Sequence, residues 1–183
     1  MRTFIIGIVV TIIVLVAGGL AFAFLGFMPT NADATPPSME RHIAMRSMDA
    51  SMDRHAPHIS NPVPPTDDNL IEGMKVYTMD CALCHGSFNY KPSPLAKSFY
   101  PPVPQLVIHP LDDPEWHVHY AIATGVRYTG MPAWGKTLTD DQIWKVTAFL
   151  TRLDKLPPAV QQYWKDSFGV EPHSGAEGMK TQD

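Results

Sequence analysis

The hydrophobic pattern divides the chain into one long apolar run and several helix-periodic stretches separated by proline-rich loops. From residue 3 to residue 32 no side chain carries a formal charge, and residues 4–28 are almost all Ile, Val, Leu, Phe, Ala or Gly. A helix needs about 20 such residues to cross a bilayer. We predict a membrane-spanning anchor over residues 1–30, with its N-terminus in the cytoplasm because Arg2 lies on that side.

A cleaved secretory signal is the alternative interpretation of the same run. Ala32, Asp33 and Ala34 form an A-x-A-like cleavage site directly after it. The apolar core of a signal is about 7 to 15 residues long, whereas this run is much longer. The length favours a retained anchor, with the rest of the chain on the outer, periplasmic face of the cytoplasmic membrane.

A segment rich in Pro, Met, His and Asp follows over residues 31–65, and its middle, residues 38–55, has a helical pattern. Its Met and His side chains share one side of the helical wheel: His42, Met45, Met48, Met52 and His55. Such soft ligands could hold copper(I). The preferred interpretation is an apolar stripe that packs on the following domain, the membrane surface or a partner, so that the segment serves as a linker.

The next helix is predicted from its start signal. Thr66, followed by two aspartates, begins a helix over residues 69–79, since acidic side chains suit the positive end of the helix dipole. Inside this helix Gly73 costs about 1 kcal/mol of helix propensity relative to alanine. We therefore expect another helix to approach it closely.

Two more helices are indicated downstream. The first follows two aspartates, has Pro114 in its first turn and stops near Gly125, which can take a left-handed C-terminal conformation. The second starts after Thr139 and ends at Pro157. Its apolar residues are Ile143, Val146, Phe149, Leu150 and Leu153.

These elements predict one small all-α domain over residues 66–156, followed over residues 157–183 by a short helix and a mobile tail. The length of 183 residues leaves material for a single domain of about a hundred residues. The 18 prolines favour long ordered loops over sheets. A formal net charge of −4 provides no basic field that would attract nucleic acid.

Cys81, Cys84 and His85 form the pattern C-x-x-C-H. This is the pattern of covalent haem c attachment, in which two thiols on one helical turn reach the haem vinyl groups and the imidazole is held below the iron. A thioredoxin-like dithiol, a structural zinc site and a simple disulfide are the alternatives. The first lacks a βαβ pattern, the second lacks a second ligand pair at good spacing, and the third leaves His85 unexplained.

Met131 is the predicted sixth ligand of the iron of a single haem c. It lies in a loop too rich in glycine and proline to be helical. A thioether is a suitable soft ligand, and it raises the reduction potential when paired with histidine. The competing ligands are His109, His117 and His119. We expect the first to cap a turn and the other two to lie at the surface, while core packing is the alternative role for Met131.

Residues 66–155 resemble the class I cytochrome c family, in particular the small bacterial domains of membrane-bound respiratory chains. The resemblance rests on Gly73, Tyr77, Cys81, Cys84, His85, Gly86, Gly130, Met131, Pro132, Trp144 and Phe149. It implies a fold of three to four helices around the haem. It also implies that the first and last helices of the domain cross at Gly73, with Tyr77 and Phe149 beside the contact.

The resemblance further implies contacts around the haem. A proline-containing loop after the C-x-x-C-H pattern is expected to supply the backbone carbonyl that accepts the N–H of His85. The candidates are Pro101, Pro102 and Pro104, of which Pro102 is favoured. Tyr128 and Trp134 are expected to line the haem crevice or to hydrogen-bond a propionate.

With both axial positions of the iron filled, the expected activity is outer-sphere electron transfer and not catalysis on a small-molecule substrate. We predict a membrane-tethered respiratory carrier whose partners are a quinol-oxidising complex and a terminal oxidase or another acceptor. An electron-entry haem subunit of a larger enzyme, of the oxidase or nitric oxide reductase type, is the alternative. A haem redox or gas sensor with a displaceable Met131 is a third interpretation.

Overall fold

The computed structural model describes residues 1–87 and 91–168, and the chain divides into two compact units, Met1–Ala34 and Thr35–Asp183. In the first unit, helix α1 spans Arg2–Phe24, and none of its residues is buried. Among the described residues it is the one helix long and apolar enough to cross a membrane. Its length and composition agree with the predicted anchor.

The second unit is helical within residues 35–87 and 91–168, where the β-structure is limited to one isolated bridge between Ser87 and Lys91. Its helices are α2 (Ser38–His55), α3 (Asp67–Val76), α4 (Ala82–His85), α5 (Glu115–Thr124), α6 (Asp140–Leu150) and α7 (Pro158–Phe168). A π-helical turn, Tyr77–Cys81, joins α3 to α4, and 3-10 segments lie at Pro94–Ser98 and Trp134–Lys136. The predicted all-α fold is confirmed.

Polar residues start the helices at or near the predicted places. The Thr66 hydroxyl accepts a hydrogen bond from the backbone N–H of Asn69 at 3.4 Å and so caps α3. At α6, Thr139 and Gln142 form a capping box, in which each side chain accepts from the other residue's backbone N–H. Pro114, expected inside the first turn of α5, is instead its N-cap residue.

The backbones of α3 and α6 meet at Gly73. A β-carbon built on this glycine would lie 2.1 Å from the carbonyl oxygen of Lys145, well inside van der Waals contact. The close helix approach predicted from the glycine is therefore confirmed. At the rim of the crossing, the Lys145 ammonium forms an ion pair with Glu72 at 2.6 Å.

Three aromatic rings fill the core beside this crossing. The ring centroid of the fully buried Tyr77 lies 5.6 Å from that of Phe149 and 6.4 Å from that of Trp164. Phe149 and Trp164 meet edge to face at 5.1 Å, a geometry that aromatic pairs favour. Since Trp164 lies on α7, this short helix belongs to the core of the domain.

Helix α2 contacts α5, and its methionine-bearing face is buried in part. Met52 is buried, with 6% of its surface exposed, whereas Met45 is 48% exposed. Further along, the Asn61 amide donates to the backbone carbonyl of Trp144 at 3.1 Å. The end of the 31–65 segment nearest the domain is thus packed against it, and the apolar packing preferred for the methionines holds for Met52.

The end of α6 differs from the prediction. This helix stops at Leu150, and residues 151–155 form turns before the predicted stop at Pro157 is reached. The next proline, Pro158, is the first residue of α7, a position where the missing N–H of proline removes no helical hydrogen bond. The predicted mobile tail, residues 169–183, lies outside the described residues.

Replacement of Gly73 by alanine should lower the free energy of unfolding by about 3 kcal/mol, the upper end of the usual range for overpacking. The added methyl group would meet the Lys145 backbone, which cannot swing aside as a side chain can. Chemical denaturation of Gly73→Ala measures the loss. The control is Glu72→Ala, which removes an exposed ion-pair partner and should cost at most about 1 kcal/mol. Equal losses in the two variants would contradict the backbone contact.

Candidate functional site

Cys81, Cys84 and His85 lie on consecutive helical backbone, at the end of the π-helical turn and in α4. Both thiols are free, with Cys81 buried and Cys84 half-buried. Burial raises the pKa of the Cys81 thiol to about 12, and the charges of Asp80 and Cys84 contribute less. Such a thiol stays protonated near neutral pH, whereas a redox-active dithiol needs a thiolate. Burial therefore disfavours a reactive thiolate at Cys81.

The imidazole of His85 is oriented by a backbone carbonyl. Its Nδ1 lies 2.9 Å from the carbonyl oxygen of Pro104, and because a carbonyl can only accept, Nδ1 carries the proton. Burial lowers the pKa of His85, and the hydrogen bond to Pro104 offsets part of that shift, so the ring is neutral near pH 7. The lone pair is then on Nε2, the nitrogen left to bind a metal. These residues therefore fit a covalently attached haem.

The identity of the accepting carbonyl corrects a prediction. The sequence favours Pro102, but the acceptor is Pro104. The cause is a second hydrogen bond, from the backbone N–H of Leu106 to the carbonyl of His85 at 3.1 Å. That bond aligns the residue just before Gln105, Pro104, with the imidazole, whereas Pro102 lies two residues too early in the loop.

Four successive carbonyl groups, three in α4 and one at its C-cap, receive donors from outside the helix. A helix leaves its last four carbonyls without intrahelical partners. The pairs are Ser93 Oγ with Leu83 at 2.5 Å, Gln105 Nε2 with Cys84 at 3.0 Å, Leu106 N with His85 at 3.1 Å and Tyr77 Oη with Gly86 at 2.7 Å. Tertiary hydrogen bonds therefore hold the backbone around both Cys84 and His85.

Two of these donors, Ser93 and Gln105, were not predicted from the sequence. Each is a polar side chain in a proline-rich loop, where polar residues are common. The available signal was the place of Gln105 between Pro104 and the apolar Leu106. This position indicates that the Gln105 side chain makes a polar contact inside the protein. It does not indicate which carbonyl groups the side chain contacts.

Met131 lies on the loop between α5 and α6 and is half-buried against the hydrophobic core that contains Cys81. The loop is closed by its own hydrogen bonds. The Val126 N–H donates to the Met131 carbonyl at 3.2 Å, and the Met131 N–H donates to the Thr129 hydroxyl at 3.1 Å. The backbone of the predicted sixth ligand is thus fixed at the edge of the core.

Tyr128 and Trp134, the two predicted haem contacts on this loop, have different surroundings. Tyr128 is 89% exposed and has a φ of +63°, and the guanidinium carbon of Arg127 lies 5.8 Å from its ring centroid. Trp134 is half-buried and packs against the core. Their contacts with haem stay predictions, and Trp134 is the one that the protein core already positions.

Two of the three competing histidines have side-chain partners of their own, while the backbone N–H of His109 closes a turn on the Gln105 carbonyl at 2.9 Å. His119 Nε2 lies 2.9 Å from a carboxylate oxygen of Asp140, and its ring stacks on Trp144 with centroids 3.8 Å apart. His117 Nδ1 lies 3.5 Å from Asp113. The side chains of His117 and His119 are only 12% and 16% exposed, so the expectation that both are surface residues is wrong. Stacking against an aromatic ring of α6 was not visible in the local sequence.

Comparison with known proteins gives the following matches. Residues 68–150 match the model of the family described as cytochrome C oxidase, cbb3-type, subunit III. Among solved structures, the chain is similar to one from the Kuenenia stuttgartiensis reducing HAO-like protein complex Kustc0457/Kustc0458, with 25% identity and a TM-score of 0.42. That likeness covers 53% of this chain and 50% of the other, so the chain spans about half the length of that structure. No curated protein matches the chain.

Replacement of Tyr77 by phenylalanine should lower the free energy of unfolding by about 1 to 3 kcal/mol. The ring stays, but the buried Gly86 carbonyl loses its donor. Denaturant unfolding of Tyr77→Phe measures the effect. Tyr163→Phe serves as the control, because that half-buried ring keeps its approach to the Lys75 ammonium at 5.5 Å; it should change stability by less than about 0.5 kcal/mol. If Tyr77→Phe is as mild as the control, the hydrogen bond does not stabilise the turn.

Proposed function

Residues 68–150 are a cytochrome c domain, and from this premise we propose that the chain is a membrane-tethered monohaem cytochrome c carrying single electrons between redox proteins. When bound, haem c supplies an iron that cycles between Fe(II) and Fe(III). Cys81 and Cys84 would hold it through two thioethers. His85 and Met131 would be the two protein ligands of its iron.

The hydrogen bond from His85 Nδ1 to the Pro104 carbonyl carries this proposal. Histidines that bind metals almost always donate their other ring N–H to a carbonyl, carboxylate or water, which fixes the tautomer and raises the basicity of the ligating nitrogen. The neighbouring thiols are both free and follow one another along a helical backbone. A neutral, oriented imidazole beside two free thiols is what covalent haem attachment requires.

The surroundings of Met131 support its proposed role as the sixth ligand. A thioether is a soft ligand that suits haem iron, and the hydrogen-bonded loop keeps the Met131 backbone at the edge of the core. Two protein ligands leave no position on the iron for a substrate. The chain's contribution is then to hold the cofactor, to exclude other ligands and to leave an edge open to partner proteins.

Helix α1 supports the proposed tether. After Arg2 it carries no charged side chain and is apolar apart from Thr3 and Thr11, and none of its residues is buried in the protein. We infer that it spans the cytoplasmic membrane and that the cytochrome c domain works in the periplasm, because Arg2, the cation at the start of the helix, favours a cytoplasmic N-terminus. Electron donors and acceptors on that side would be a quinol-oxidising complex and an oxidase.

The matching family favours one alternative: a haem subunit that delivers electrons within a larger membrane enzyme. The description of that family names subunit III of a cbb3-type oxidase. Purification from membranes in mild detergent separates the two interpretations. Stoichiometric co-isolation with a catalytic subunit supports the alternative, and isolation of the chain alone supports a free carrier.

Mass spectrometry of the exported chain should find the mass of one added haem. A variant with either Cys81 or Cys84 replaced by alanine can still form one thioether, whereas the double variant can form none. If one thioether is enough to retain the haem, the added mass should disappear only in the double variant. Absence of any added mass in the unaltered chain would remove the proposed function. Met79→Ala, at a residue of the same turn that is 71% exposed, is the control and should retain the haem.

Replacement of Met131 by alanine should lower the reduction potential, because a thioether paired with histidine raises it. The variant should also bind carbon monoxide in the reduced state, since one position on the iron becomes open. Visible spectra and redox titration measure both effects, with Met79→Ala as the control. An unchanged spectrum would exclude Met131 as a ligand. Ready binding of carbon monoxide by the unaltered chain would instead favour a gas sensor.

A further inference from the structure

The loop residue Gln105 links residues 81–86, called here the attachment turn, to the loop segment that orients His85. We propose that Gln105 is a positioning residue for the proximal histidine: its carboxamide fixes the Pro104 carbonyl against the imidazole and thereby tunes the reduction potential of the iron. This inference rests on the proposed function, since it assumes that His85 is an iron ligand. Gln105 itself is not assigned any contact with the cofactor.

The Gln105 carboxamide makes three hydrogen bonds while half-buried. Its Oε1 accepts from the backbone N–H of Ser93 at 2.6 Å, and its Nε2 donates to the carbonyls of Cys84 at 3.0 Å and Val103 at 3.1 Å. One side chain therefore joins the attachment turn to two separate parts of the loop. Both its acceptor and its donor capacity are used.

The backbone on either side of Gln105 contacts His85. The Pro104 carbonyl accepts from His85 Nδ1 at 2.9 Å, and the Leu106 N–H donates to the His85 carbonyl at 3.1 Å. With the bond from Gln105 Nε2 to Cys84, three consecutive loop residues bond two consecutive helix residues. The carboxamide lies at the middle of this set, so its loss frees the Pro104 carbonyl to move relative to the ring.

The chemistry of the amide explains why another polar side chain would not serve. A carboxylate at this position accepts only, and it would face the oxygens of Cys84 and Val103. A hydroxyl or a shorter amide does not span from Ser93 to Cys84. An apolar side chain of equal length fills the space but leaves two carbonyls and one N–H without partners, and buried groups of this kind are normally paired.

The strength of the hydrogen bond from His85 Nδ1 determines the expected effect on the reduction potential of the iron. A strong hydrogen bond from Nδ1 makes the ring a more basic ligand, which favours Fe(III) over Fe(II). Weakening that bond should therefore raise the reduction potential. It should also speed the exchange of the Nδ1 proton with solvent, by about tenfold if one ordinary hydrogen bond is lost.

The test compares Gln105→Met with Gln142→Met in the full chain matured with haem. Both variants lose a glutamine that accepts from a backbone N–H, but Gln142 caps α6 and has no hydrogen bond to the attachment turn. Redox titration and NMR of the His85 Nδ1 proton are the measurements. We expect a higher potential and faster exchange in Gln105→Met alone, while denaturation shows a loss of stability in both.

Equal potentials and exchange rates in the two variants would overturn the proposal and reduce Gln105 to a structural residue. If Gln105→Met fails to mature, Gln105→Asn replaces it, because that neutral side chain is too short to reach Ser93 and Cys84 together. It should change the potential and the exchange rate in the same direction, and no change in either would again overturn the proposal. Failure of the proposed function is distinguishable, since it appears as absence of haem mass in the unaltered chain.

Discussion

The meeting of two helix backbones at Gly73 is the constraint on which the rest of the domain depends. The Lys145 carbonyl takes the space that any side chain at residue 73 would need. Because α3 runs through the π-helical turn into α4 without a loop, fixing α3 against α6 also fixes the turn that carries Cys81 and His85. A single π-helical turn inside a helix is frequent at functional sites, and here it ends at Cys81, the first residue of the C-x-x-C-H pattern.

A second constraint acts on the polar backbone of the attachment turn. Helix α4 has four residues, so its own hydrogen bonds can satisfy few of its carbonyls. Side chains and backbone of the following loop supply the missing donors, and one carbonyl of that loop accepts from His85 in return. The arrangement holds the imidazole through groups that do not touch Nε2, so this nitrogen stays available while the orientation of the ring is fixed from the other side.

Local signals predicted the parts of this structure that depend on neighbours in sequence. Thr66 and Thr139 start helices because their hydroxyls reach N–H groups one turn away, and the cost of glycine in a helix pointed to the crossing at Gly73. The residues of the C-x-x-C-H pattern likewise lie within about one helical turn, so the pattern can be recognised from the local sequence. Pro104 was one of three candidate prolines but could not be singled out in this way, and Gln105 was not predicted at all. Their roles are set by a loop that folds back from about twenty residues downstream.

Helix α7 extends the folded domain beyond the residues that match the family. The match to the family ends at residue 150, yet Trp164 packs on the rings of Tyr77 and Phe149 in the centre of the protein. A fragment that ended at residue 150 would expose those rings to solvent, and an exposed apolar surface promotes self-association. The domain to be used therefore extends through residue 168. This applies to fusion with another protein and to attachment to an electrode or a designed scaffold.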